Sequence, residues 1–206
     1  MSGIRRRVCF LLMLCGALAS PARAETRALF EIALDIDRDG KMDRAALVAA
    51  DDAGFYAPNK DWFMIGTDQR VDLYVYLGAG DAPLDLARPP TFIKRDIAIG
   101  EQQNQIFPLE AREGSLIVKT AYNLYSNWVS ETLTIVHRGG GFLVGGWMRD
   151  IDMKDGARGR CDINFLTRSG TVSGGVYGSR KAIDKRLGPL RLSAWAASKY
   201  LKLCAR

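Results

Sequence analysis

The chain has 206 residues, with 29 Lys and Arg against 23 Asp and Glu, which gives a formal net charge of +6. Hydrophobic residues make up 48% of it, enough for a sizeable core, so the composition excludes a wholly disordered chain. The length favours a single domain.

The first 24 residues have the pattern of a secretory signal peptide. Three arginines at 5–7 precede an apolar stretch over 8–19, and Ala-Arg-Ala at 22–24 matches a small-residue cleavage site. The apolar stretch is shorter than the ~20 residues that span a bilayer, which argues against a transmembrane anchor. We therefore expect cleavage before Glu25 and a periplasmic or secreted protein.

Export changes two expectations about partners. The formal charge would fall from +6 to +2, because four arginines lie in the removed segment, and a nucleic-acid partner then loses its main support. Lipidation is not expected either, because Leu14 precedes Cys15 where lipoprotein signals carry a small side chain.

From residue 28 onward, apolar residues alternate or form short runs that Gly, Asn, Asp or Pro interrupts. This rhythm predicts β-strands. We expect one all-β domain over residues 25–206, a mainly antiparallel sandwich or curled sheet with a short C-terminal helix at 194–203. The predicted strands are 28–34, 45–50, 71–77, 91–99, 115–121, 131–136, 142–148, 161–166, 171–176 and 190–194.

The segment between the first two predicted strands has the spacing of a calcium loop. Carboxylates stand at loop positions 1, 3, 5 and 9, a glycine at position 6 allows a sharp turn, and the carbonyl at position 7 supplies another oxygen. Without a cation, four acids in nine positions would repel one another. The predicted ligands are Asp35, Asp37, Asp39, Lys41 through its carbonyl, and Asp43, with Gly40 at the turn.

Position 12 of this loop, where an EF-hand has a bidentate Glu, is Ala46. The flanking residues suit two strands at least as well as two helices. Asp51 and Asp52 are the nearest further acids, but a seven-residue strand would carry them about 20 Å away. We therefore expect a strand–loop–strand site that is weak or completed by a ligand from elsewhere.

At residues 28–52 the chain resembles the calcium loops of FG-GAP and VCBS-type secreted proteins, and more distantly the EF-hand-like loops of dockerins. In those proteins a D-x-D-x-D-G-x-x-D loop joins two strands. The resemblance implies that calcium stabilises an exported β protein, with the five residues above as its ligands.

Two later segments carry weaker signals. The run 132–136, the Arg-Gly-Gly-Gly at 138–141 and the run 142–144 predict a hairpin. The segment 150–156 repeats part of the acidic motif, but its third acid stands one place late. We interpret it as an acidic turn, and a second cation site is the alternative.

Cys161 and Cys204 are the two cysteines that would remain after cleavage. In an oxidising compartment they should form a disulfide, which would stabilise the fold by about 4 kcal/mol on the chain-entropy model. Two buried free thiols are the alternative. A zinc site is less favoured, because His137 has no partner at ligand spacing.

The sequence shows no catalytic constellation. His137 is the only histidine, and no Gly-x-Ser-x-Gly elbow accompanies it. The aromatics Trp62, Phe63, Tyr122, Tyr125 and Trp128 could form a binding platform, although packing is their commoner use. We expect a non-enzymatic calcium-binding module of the cell envelope with a structural or ligand-binding role, whose partner is an envelope polysaccharide or protein. The alternative is a hydrolase of envelope polysaccharide that uses a carboxylate pair.

Overall fold

The structure is a computed structural model, and it describes residues 27–49, 56–59, 61–67, 69–100, 105–183 and 187–204. The predicted signal peptide, as well as Asp51 and Asp52, lies outside these residues. The strands of the described residues form two antiparallel sheets, and one short α-helix follows them. This arrangement confirms the all-β prediction.

The smaller sheet has four strands, numbered in chain order and arranged as β1-β2-β5-β6. Their apolar residues alternate with polar ones or form short runs, and β2 is buried along nearly its whole length. All four were predicted from this pattern. They are β1 (Arg27–Leu34), β2 (Asp43–Ala49), β5 (Arg70–Tyr76) and β6 (Phe92–Ile99).

The larger sheet contains eleven strands among the described residues. Its main path is β14-β13-β12-β11-β10-β9-β7-β4-β3, while β15 pairs with β11 and β8 pairs with β9. The strands are β3 (Tyr56–Asn59), β4 (Trp62–Met64), β7 (Gln105–Ile106), β8 (Glu110–Arg112), β9 (Ser115–Leu124), β10 (Asn127–Arg138), β11 (Gly141–Asp152), β12 (Arg158–Asn164), β13 (Ser169–Gly174), β14 (Lys181–Ala182) and β15 (Leu190–Arg191).

The hairpin of β10 and β11 confirms the prediction from the glycine run. Arg138 pairs with Gly141, and Gly139 and Gly140 between them have φ values of 59° and 72°. Two consecutive positive φ values define the tight turn that matches the twist of two antiparallel strands. Both strands are twelve residues long, longer than predicted, because the pairing continues past the apolar runs.

The C-terminal segment differs from its prediction. Only Leu190 and Arg191 form a strand, a 3₁₀ turn covers Leu192–Ala194, and the helix α1 runs over Ala197–Cys204. Cys204 is joined to Cys161 of β12 by a disulfide with a Cα–Cα distance of 5.6 Å, which confirms the predicted pairing. The disulfide therefore ties α1 to the larger sheet.

The two sheets share one hydrophobic core, because its buried side chains come from both. Phe92 of the smaller sheet packs against Phe142 of the larger one with ring centroids 4.7 Å apart. At the C-terminal end, the rings of Trp147, Phe165, Trp195 and Tyr200 form a second group of contacts. Within the described ranges, no helix has the length and apolar character needed to cross a membrane.

Candidate metal centre

The predicted calcium loop, residues 35–43, joins β1 to β2 at one end of the smaller sheet, and its last residue, Asp43, is the first residue of β2. Leu34 pairs with Asp43, so the strands are in register where the loop begins and ends. Ile36 is 1% exposed and anchors the loop in the core. Gly40 has a φ of 81°, which a residue with a side chain rarely adopts, so the predicted role of this glycine in the turn is confirmed.

Three of the predicted ligands converge in this loop. One carboxylate oxygen each from Asp35, Asp37 and Asp39 lies within 4.8 Å of the other two. In the part of the chain that the structure describes, this is the one group of three or more acidic, histidine or cysteine side chains that could share a metal ion. A cation at 2.3–2.6 Å from each oxygen, the range of calcium ligation, is compatible with this spacing.

Backbone N–H groups of the loop orient these carboxylates. Asp39 N donates to an oxygen of Asp35 and to one of Asp37, both at 3.2 Å, and Gly40 N donates to the other oxygen of Asp35 at 3.1 Å. These donors partly offset the repulsion between the acids. Because a carboxylate oxygen has more than one lone pair, it can accept such a bond and still bind a cation.

Lys41 contributes positive charge next to the group. Its backbone N–H donates to Asp39 Oδ1 at 2.8 Å, and its ammonium lies 3.4 Å from Asp39 Oδ2. The backbone hydrogen bond is the main reason why the pKa of Asp39 is below its ordinary value. Asp39 therefore stays ionised, as a metal ligand must. The predicted use of the Lys41 carbonyl as a ligand stays a prediction.

Asp43, the fifth predicted ligand, is not part of the converging group. Its side chain is buried, with Oδ2 accepting the N–H of Ile36 at 2.9 Å and Oδ1 accepting the N–H of Gly78 at 2.7 Å. These bonds connect the start of the loop to the turn after β5. In this structure Asp43 is thus a buried structural carboxylate, and its part in metal binding remains a prediction.

The loop also contacts the larger sheet. Arg38 Nη2 donates to the carbonyl oxygen of Glu113 at 2.7 Å, in the turn between β8 and β9. The neighbouring Gly114 has a φ of 72°, which a residue with a side chain rarely adopts, and the side chain of Arg38 lies directly over it. The candidate metal loop is therefore part of the connection between the two sheets.

The second acidic segment has different partners. Asp150 accepts two hydrogen bonds from Arg160, at 2.6 and 3.0 Å, and Asp152 lies 3.0 Å from Arg158. Asp155 accepts the N–H of Ala157. Asp150 and Asp152 thus belong to β11, where arginine side chains neutralise them, and only residues 153–156 form the turn. The interpretation of the whole segment as an acidic turn is therefore correct only for its second half.

A buried polar cluster in the larger sheet was not predicted from the sequence. Glu131 of β10 and Arg149 of β11 are directly opposite each other, and Tyr122 of β9 contacts both. The signal was present, because Glu131 is in phase with Leu133 and Arg149 with Trp147. A charged residue on the apolar face of each of two neighbouring strands, with opposite signs, indicates a buried ion pair.

Comparisons with protein-family models, with curated proteins and with solved structures found no significant match for this chain. The resemblance to FG-GAP and VCBS-type loops therefore stays a prediction that depends on the loop residues alone. What the geometry supplies is a three-carboxylate group that could hold a metal ion.

Proposed function

We propose that this protein is an exported, calcium-binding β module with a structural or ligand-binding role in the cell envelope. The observation that carries the proposal is the convergence of Asp35, Asp37 and Asp39 on one point of a strand–loop–strand turn. An all-oxygen donor set suits a hard cation, and calcium tolerates the irregular geometry of such loops better than magnesium does.

The structural role follows from the position of the loop. A cation between the three carboxylates would neutralise their repulsion and stiffen the connection between β1 and β2. Arg38, from the same loop, contacts the turn of the larger sheet. Calcium would thereby stabilise the connection between the sheets as well as the loop itself.

Export is supported by two independent features. The N-terminal residues match the signal-peptide pattern, and the Cys161–Cys204 disulfide is compatible with an oxidising compartment. Outside the cytoplasm, calcium is abundant enough for a weak site. Three carboxylates in a half-exposed loop predict a dissociation constant on the order of 10⁻⁴ to 10⁻³ M, the range of extracellular modules.

The test is thermal unfolding of the mature chain, first stripped with a chelator and then titrated with calcium. At a tenfold excess over the dissociation constant, calcium should stabilise the fold by about 1.4 kcal/mol. For a domain of this size that corresponds to a rise in Tm of about 3–6 °C. Magnesium at the same concentration should have a smaller effect.

The matched variants are Asp37→Asn, Asp39→Asn and the control Asp162→Asn. Asparagine keeps an oxygen for the backbone N–H donors but removes the charge. Asp162 is exposed on β12, away from the loop. Both loop variants should lose the calcium-dependent rise, and the control should keep it. A rise of equal size in all variants would exclude the loop as the calcium site.

The second candidate is a hydrolase of envelope polysaccharide that uses a carboxylate pair. In its favour, Asp96 of β6 and Glu131 of β10 line the same cavity. Burial raises the pKa of Glu131, as a general acid needs. Release of reducing ends from peptidoglycan by the wild type, and its loss in Glu131→Gln and Asp96→Asn, would establish this function. No release would exclude it.

A further inference from the structure

A cavity of about 380 Å³ lies between the sheets, and its size falls within the range of small-molecule sites. One wall is the end of β6, and the opposite wall is one face of β9, β10 and β11. Residues 195–198 and Leu201 of the C-terminal segment form a third wall. This cavity is separate from the metal loop, and none of its lining residues belongs to that loop.

The wall formed by β9–β11 contains the buried polar cluster. Tyr122 donates to Glu131 Oε1 at 3.1 Å, and Arg149 Nε lies 3.3 Å from the same oxygen. Arg149 also donates to the hydroxyls of Tyr177 at 3.0 Å and Tyr122 at 3.3 Å. These bonds fix both charged side chains in place, so the polar wall is preorganised.

One polar group of this wall remains for a ligand. Tyr122 and Arg149 both contact Oε1 of Glu131, and Oε2 is free of those two contacts. The indole of Trp147 also faces this carboxylate, and its hydrogen bond favours the ionised form. Trp147 is 1% exposed and its indole nitrogen is buried, so it is not a donor for a ligand. The Glu131 carboxylate is thus the acceptor that a ligand can reach.

The charged side chains that line the cavity determine which head group of a ligand can bind there. Glu131 and Arg149 neutralise each other, and their side chains are only 13% and 9% exposed. Asp96, the third charged residue of the lining, is paired with Arg70. A charged ligand would therefore lose its hydration without gaining an unpaired opposite charge. A hydroxyl or primary amide instead donates a hydrogen bond to Glu131 without adding a charge.

The remaining walls decide the body of the ligand. The cavity is also lined by aliphatic and aromatic side chains, which are Leu124, Leu133, Ile97, Leu201 and Trp195. Burying apolar surface against these side chains stabilises binding. We propose that the cavity binds a small uncharged amphiphile, with an aliphatic body against β6 and α1 and a hydroxyl or amide head that donates a hydrogen bond to Glu131.

The test compares three probes with the same alkyl chain and different heads: n-octanol, octanoate and octylammonium. Calorimetric titration of the mature, disulfide-bonded chain should show that n-octanol binds at least about tenfold more tightly than either ion. The indole N–H signal of Trp147, assigned with Trp147→Phe, should move on n-octanol binding in a ¹⁵N-labelled sample. Equal binding of all three probes, or no binding of n-octanol, would overturn the proposal.

Two variants test the role of the Glu131 charge and the role of the α1 rim in binding these probes. In Glu131→Gln the guanidinium of Arg149 loses its counter-charge, so the preference should reverse and octanoate should bind about tenfold more tightly than before. Ala197→Phe places a ring at the rim formed by α1 and should abolish binding of n-octanol. Ala182→Phe is its matched control, because Ala182 is exposed and does not line the cavity.

Each of these binding measurements either supports or overturns the proposal about the cavity. If Glu131→Gln does not fold, Ala197→Phe alone tests the cavity, and unchanged binding in that variant would overturn the proposal. The titrations are repeated with Asp37→Asn in a chelator. Binding of n-octanol there should be unchanged, so a failure of the calcium site and a failure of the cavity are distinguishable.

Discussion

Asp39 and Asp43 show that identical side chains in one loop have different roles. Asp39 is exposed and belongs to the converging group, whereas Asp43 is buried and bonds to two backbone N–H groups. The spacing of the motif cannot distinguish them. The second donor to Asp43, Gly78, lies 35 residues away, so this role arises only when β5 reaches the loop.

Asp43→Ala should therefore destabilise the fold whether or not calcium is present. It leaves the N–H groups of Ile36 and Gly78 without their acceptor, which should lower the free energy of unfolding by about 3 kcal/mol. Urea unfolding in calcium and in chelator should show the same decrease in the free energy of unfolding of this variant. Asp39→Ala should instead reduce stability only in calcium. A loss for Asp43→Ala that appears only with calcium would make Asp43 a ligand.

The helix α1 depends on elements outside itself. It has only eight residues, and isolated helices of that length are marginal in water. The disulfide joins its end to β12, and the aromatic contacts of Trp195 and Tyr200 fix its beginning and middle. Because α1 also lines the cavity, its attachment determines whether the cavity has its third wall.

Removing the disulfide should lower the free energy of unfolding by about 4 kcal/mol, since the bond closes a loop over a sequence separation of 43. The variant is Cys161→Ser with Cys204→Ser, and the measurement is urea unfolding with and without a reducing agent. Reductant should destabilise the wild type to the level of the variant and leave the variant unchanged. Identical midpoints for oxidised wild type and variant would contradict this.

The molecule as a whole combines two sheets, and both candidate sites lie where the sheets meet. The metal loop extends from the smaller sheet to the β8–β9 turn, and the cavity lies between β6 and β9–β11. The ion pair of Glu131 and Arg149 is enclosed by this arrangement. Since burial raises the pKa of Glu131 and also raises that of Tyr122 to about 12, global stability should depend on pH.

The direction of this pH dependence follows from the difference in proton binding between the folded and unfolded states. The folded state binds the Glu131 proton more tightly than the unfolded state, so this side chain contributes more stability as the pH falls from 7 towards its ordinary pKa of 4.5. The free energy of unfolding of the wild type, relative to Glu131→Gln, should therefore increase over that range. Denaturant unfolding at a series of pH values measures it.

Glu110→Gln is a control variant for which the pH dependence of the stability difference should have the opposite sign. A hydrogen bond from Lys119 lowers the pKa of Glu110, so its stabilising contribution is present above the ordinary pKa and is lost as the pH falls through the folded value. The wild type should lose its advantage over Glu110→Gln on acidification. The same trend in both comparisons would refute the burial effect assigned to Glu131.

Local patterns in the sequence were sufficient for the main strands, the β10–β11 hairpin, the disulfide and the three converging acids. The strands, the hairpin and the acids depend on neighbours in the chain: alternation of apolar residues, two glycines at a turn, or acids at alternate positions. The disulfide followed instead from the two cysteines left after cleavage and an oxidising compartment. The short strands β3, β4, β7, β8 and β14 were missed, because two to four residues carry too little alternation to predict pairing.

The tertiary structure alone decided the rest. The burial of Asp43, the contact of Arg38 with the distant turn and the cavity with its Glu131–Arg149 pair require residues that are far apart in sequence. Whether a carboxylate binds a cation, accepts backbone N–H groups or pairs with an arginine depends on which groups surround it. That environment exists only after the two sheets have packed together.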